Sequence, residues 1–102
     1  MLTPERKVKD KVKKVLKELG AYYAMPATGG YGSSGVPDFL VCYCGRFIGL
    51  ECKANGGKTT ALQEKNLYDI RKNGGTAFVV DEHNVGDLRE WLVESFYVEG
   101  IE

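Results

Sequence analysis

Apolar positions along this chain alternate between two periods. Behind Thr3-Pro4, Val8, Val12, Val15, Leu16 and Leu19 recur at helical spacing until Gly20 interrupts them. A hydroxyl N-cap, proline at the first helical position and a terminal glycine are the start and stop signals of an amphipathic helix. Residues 21–25 form a short strand candidate, and a glycine-dense loop from Gly29 to Gly35 leads into Val36-Pro37. Two apolar runs, 38–44 and 46–53, flank a tight turn and predict a β-hairpin. Asn55-Gly56-Gly57-Lys58 breaks the pattern. A second helix is predicted over 60–73, with Leu67 and Ile70 inward and Gly74-Gly75 as its stop. Residues 76–81 are rich in β-formers, and a last helix over about 86–97 carries Leu88, Trp91, Leu92 and Phe96 on one side. The order α-β-β-β-α-β-α contains a strand–helix–strand crossover, which places helices on both faces of one sheet.

The hairpin register sharpens this outline. With Cys44-Gly45 as a two-residue turn, opposed residues have numbers that sum to 89, so Asp38 faces Glu51, Leu40 faces Gly49 and Cys42 faces Phe47. Side chains alternate with period two, so Asp38, Glu51 and Lys53 share one face. The other face pairs Phe39 with Leu50 and Val41 with Ile48, all apolar. Two opposed carboxylates destabilise a sheet unless a cation lies between them. Oxygen donors at this spacing suit Mg²⁺ or Mn²⁺. Lys53 can orient a water or neutralise charge on phosphorus, and Gly49 leaves room for a ligand. On the first helix Glu5 falls within roughly 40° of the apolar stripe, so it faces the sheet side and is a third candidate ligand. Asp10 and Glu18 lie toward the polar flank.

Other features carry less chemistry. Gln63 follows Thr60 by three residues, which makes a capping box, and it also lies on the inward stripe, so both roles stay open. Gly30, Tyr31 and Ser33 in the glycine loop, and Lys58 in the turn after the hairpin, are candidate DNA contacts or supports of the active site. Gly56-Gly57-Lys58-Thr59 is not a phosphate-binding loop, since its first glycine would fall on Cys52; no nucleotide cofactor is expected. Three cysteines with a lone His83 lack zinc spacing, and their odd count fits a reducing cytoplasm. His83 is expected to be solvated.

At 102 residues the chain is a single domain, 1–102, and no apolar run is long enough for a membrane span. The formal net charge is zero, yet residues 1–20 carry +4, residues 21–80 carry +2 and residues 81–102 carry −6. One basic face is enough for nucleic-acid contact, whereas the balance argues against wrapping DNA by charge alone. The lysines of the first helix read as a wet face, with DNA contact as the alternative.

The string Gly35-Val36-Pro37-Asp38, Gly45-Arg46, Glu51-Cys52-Lys53, Gln63 and Gly74-Gly75 resembles the PD-(D/E)XK nuclease superfamily. Within it the chain is similar to the virus-type replication-repair nuclease (VRR-NUC) family, in the small stand-alone form carried by phages and prophages. The resemblance implies an α/β fold with a restriction-endonuclease-like core, a central mixed β-sheet flanked by helices. It implies Asp38 and Glu51 as metal ligands, Lys53 as the catalytic lysine, the carbonyl of Cys52 as a backbone ligand, Glu5 as the helical glutamate, and Gln63 near the active site. A cysteine at 52 departs mildly from the common hydrophobe. The expected activity is a Mg²⁺- or Mn²⁺-dependent DNA endonuclease, structure-selective on branched DNA such as four-way junctions and acting as a homodimer in the host cytoplasm. Tyr22, Tyr23 and Phe96 are candidates for the dimer interface. A non-catalytic DNA-binding or assembly module retaining the nuclease fold is the rival reading. A restriction-type enzyme would need base contacts, for which the chain offers no evident recognition domain.

Overall fold

The structure, a computed structural model, describes residues 2–27 and 35–100, with 95–100 described by their backbone. Among the described residues it is a mixed α/β fold of four strands and three helices. The order is α1 (Pro4–Leu19), β1 (Tyr22–Ala24), β2 (Phe39–Tyr43), β3 (Arg46–Cys52), α2 (Ala61–Lys72), β4 (Thr76–Val80), a 3₁₀ turn (Val85–Asp87) and α3 (Leu88–Gly100). The sheet runs β1-β2-β3-β4, antiparallel at the first two junctions and parallel at the third.

Local chemistry sets these boundaries. The Thr3 hydroxyl accepts the Arg6 N–H at 3.1 Å, and Pro4 opens α1. Gly20, at φ 70°, closes it with its own N–H on the Lys17 carbonyl and the Ala21 N–H on the Leu16 carbonyl. The end of α2 repeats the motif, with Gly74 at φ 93° and the Gly75 N–H on the Ile70 carbonyl at 2.9 Å. Between β2 and β3 both central turn residues have positive φ, Cys44 at 52° and Gly45 at 81°. That type I′ geometry matches the right-handed twist of the strands, and it yields the expected register: Phe39 opposite Leu50, Leu40 opposite Gly49, Val41 opposite Ile48 and Cys42 opposite Phe47.

Register then divides the fold into two layers of packing. Phe39, Val41, Ile48, Leu50, Cys52 and Val80 form one face and bury against Val8, Val12 and Leu16 of α1 and Leu88 and Leu92 of α3. Trp91 stacks on Phe78 with ring centroids 5.1 Å apart, and Tyr23 leans on Phe39. Tyr23 is therefore part of the core periphery, while Tyr22 remains exposed. The Phe96 side chain lies outside the described residues. On the opposite face α2 buries Leu67, and Arg71 donates to the Ala77 carbonyl at 2.7 Å, tying helix to strand.

The last helix begins later than its apolar spacing suggests. Asp81 accepts from the backbone N–H groups of His83 and Asn84, and its own backbone N–H donates to the Asn84 side-chain oxygen. This side-chain competition with the helix ladder turns the chain before Leu88. His83 is exposed, as expected. Among the described residues no helix is long and apolar enough to cross a membrane.

Gly35 seats α2 on the segment that leads into β2. A methyl group there would fall 2.6 Å from the Leu62 carbonyl oxygen and 2.7 Å from the Asn66 amide. Gly35→Ala should cost about 1–3 kcal/mol in urea denaturation, because backbone must move to admit it; an unchanged midpoint would show that α2 is not seated there.

Candidate active site at the open end of the hairpin

Asp38 immediately precedes β2 and Glu51 is the penultimate residue of β3, so the register that pairs Phe39 with Leu50 brings them opposite one another. The Asp38 carboxylate turns along the strand edge, where Oδ2 accepts the Cys52 N–H at 2.8 Å. This bond fixes the acid just before β2 begins and satisfies the Cys52 N–H on the β2-facing edge of β3. The N–H and C=O of one strand residue point to the same edge, so the Cys52 carbonyl also faces the Asp38 side. The Cys52 thiol points the other way, into the core, and burial pushes its pKa far up, which leaves it inert.

Glu51 is the one buried charged residue of the described chain, 2% exposed. Its Oε2 receives two donors: the Gln63 amide Nε2 at 3.0 Å and the Lys53 ammonium at 3.5 Å. Its Oε1 is buried with no hydrogen-bond partner among the described residues. Burial, reinforced by the negative charge of Asp38 and opposed by Lys53, pushes the Glu51 pKa up to about 7.

Gln63 resolves its two readings by filling both. Its Oε1 accepts the Thr60 N–H at 2.9 Å while its N–H donates to the Thr60 hydroxyl at 3.1 Å, a complete capping box. Because the oxygen is engaged by an N–H donor, the amide nitrogen is the end that meets Glu51. The cap thus aims the amide at the acid.

Glu5 is the third candidate ligand. No group of three or more His, Cys, Asp or Glu side chains among the described residues lies close enough to hold a metal ion. The side-chain oxygen donors are Asp38 and Glu51, and Glu5 acts on Glu51 through space as a further negative charge. Lys9, one turn along α1, places its ammonium 3.7 Å from Glu5 Oε2 and 3.5 Å from Asp38 Oδ1. Lys9 was legible only as part of a wet lysine face, although its i+4 spacing from Glu5 puts it on that same inward flank. Asp10 and Glu18 are exposed and pair with Arg6 and Arg89. Lys58 is exposed. Gly30, Tyr31 and Ser33 lie outside the described residues.

The donor chemistry fits a hard divalent cation: two carboxylates from adjacent strands, one with an orphaned buried oxygen, and a carbonyl on the same strand edge. Beside them an open cleft of about 510 Å³ lies between Thr3, Glu5, Arg6 and Lys9 of the α1 end and Ala54 and Asn55 after β3.

The raised Glu51 pKa has a definite consequence for stability. Between pH 4.5 and about 7 the unfolded chain releases a proton that the folded Glu51 retains, so its contribution to stability is fully present below pH 4.5 and is lost as pH rises through 7. Without divalent metal, wild type should lose about 2–3 kcal/mol relative to Glu51→Gln between pH 4.5 and 8 in urea titrations; parallel pH profiles would overturn this. Comparison with protein-family models and with curated proteins finds no match to this chain, so the reading of the site rests on its geometry and donor chemistry.

Proposed function

We propose that this protein is a divalent-metal-dependent DNA endonuclease that hydrolyses phosphodiester bonds, built on a restriction-endonuclease-like core. The observation that carries the reading is a buried acid kept where it costs stability, with one oxygen unpartnered, opposite a second acid and two residues from a buried-side lysine. A purely structural hairpin gains nothing from this arrangement. Perturbed acids beside an open cleft mark functional sites.

The chemistry that Mg²⁺ or Mn²⁺ supplies when bound is polarisation of a phosphoryl oxygen and acidification of water. Asp38, Glu51 and the Cys52 carbonyl would hold the ion, with Glu51 deprotonated. Asp38 keeps its geometry through the Cys52 N–H on Oδ2, while Oδ1 faces the Lys9 ammonium at 3.5 Å. Gln63 fixes the Glu51 plane from the side of α2. Lys53, tethered 3.5 Å from Glu51, is placed to orient an attacking water or to balance charge on the phosphoryl oxygens as the ester bond breaks. The excess positive charge of the first 20 residues favours approach of a phosphate backbone along α1. Selectivity for branched DNA and action as a homodimer belong to the same proposal, supported by the likeness of the motif string; paired cuts at a symmetric junction need two sites related by a twofold axis.

The test is nicking of linear, flap and four-way-junction DNA with Mg²⁺ or Mn²⁺. Asp38→Ala, Glu51→Gln and Lys53→Met should each lose about a hundredfold or more in rate while keeping the native circular-dichroism spectrum. Undiminished cleavage by the Asp38 or Glu51 variant would refute the proposal. Junction binding with no cleavage under either metal would instead identify a non-catalytic module.

A further inference from the structure

Lys9 is the part of this site that the hydrolytic scheme leaves without a task. Its ammonium bridges carboxylates from two different elements, Asp38 at the start of β2 and Glu5 in the first turn of α1. Since Asp38 Oδ2 is committed to the Cys52 N–H, Oδ1 is the oxygen that can be offered to a cation, and Lys9 holds it. Meanwhile Glu51 keeps a buried oxygen with no partner among the described residues. We infer that Lys9 is an internal counter-cation, which neutralises Asp38 and Glu5 and which a divalent ion must displace to engage Asp38; this rests on the metal-dependent reading above.

Charge balance supports the exchange. Glu5, Asp38 and Glu51 carry three negative charges when ionised, against Lys9 and Lys53 with two positive ones. With Lys9 turned out, a divalent ion and Lys53 supply three, and the cluster is neutral. Displacement needs no backbone movement. The Lys9 side chain is 28% exposed and itself lines the open cleft, so its flexible stem can carry the ammonium into water. Partly exposed ion pairs are weak, which makes the lysine exchangeable rather than permanent. Its positive charge nevertheless competes for the same oxygen, so the apparent metal affinity is lowered by the fraction of time Lys9 is seated.

The experiment measures Mn²⁺ binding to the full chain by titration calorimetry and by electron paramagnetic resonance of free Mn²⁺. Wild type, Lys9→Met, Lys9→Arg and, as a control for net charge, Lys17→Met are compared, with circular dichroism to confirm folding. Lys9→Met should bind Mn²⁺ about three- to tenfold more tightly than wild type, whereas Lys9→Arg and Lys17→Met stay close to wild type. Should Lys9→Met fail to fold, Lys9→Gln supplies the same comparison. Equal or weaker binding by the neutral Lys9 variant, in a protein whose wild type binds Mn²⁺ and nicks DNA, overturns the counter-cation role and leaves the nuclease proposal standing. Absence of Mn²⁺ binding in wild type and neutral variant alike overturns both. Binding gained only when Lys9 is neutralised supports the inference in its strongest form.

Discussion

The type I′ turn at Cys44 and Gly45 sets the parity of every residue in the two central strands. Odd and even positions have opposite fates here: Ile48, Leu50 and Cys52 are sealed beneath α1 and α3, while Gly49 and Glu51 face α2. A slip of one residue would bury Glu51 in the larger core and expose Leu50. The turn carries a cost, since a non-glycine residue at φ 52° is mildly strained, and the packing of both faces holds it in place.

Glu51 shows how a small core can tolerate a destabilising group. Its neighbours come from three directions: Asp38 from the adjacent strand, Lys53 from its own strand, and Gln63 from α2. Each is anchored by structure that serves another purpose, so the acid is oriented without a dedicated scaffold. The Asp38–Cys52 bond satisfies the β2-facing edge at the end of β3, and the Gln63 amide caps a helix. Preorganisation of this kind uses local stabilising features to offset the desolvation of one carboxylate.

Much of this was legible in sequence because its determinants are local. Thr3-Pro4, Gly20, Thr60 with Gln63, and Gly74-Gly75 act through bonds that span no more than five residues, and the hairpin register follows from one dipeptide. What sequence did not reveal depends on distance and rotamer. Helical angle put Glu5 on the right flank but could not tell which of two inward groups, Glu5 or Lys9, would reach Asp38. The longer lysine stem did. The delayed start of α3 escaped periodicity because Asp81 and Asn84 form reciprocal bonds that apolar spacing does not register.

Parity also constrains how such a hairpin can change over evolutionary time. Deleting or inserting a single residue within β2 or β3 would exchange the chemistry of the two faces at once, whereas a two-residue step preserves both. Length variation in descendants of this chain should therefore accumulate in even increments in these strands and freely in the segments that connect them. Its most adaptable part is then the periphery around the hairpin, with the acids themselves fixed by counting.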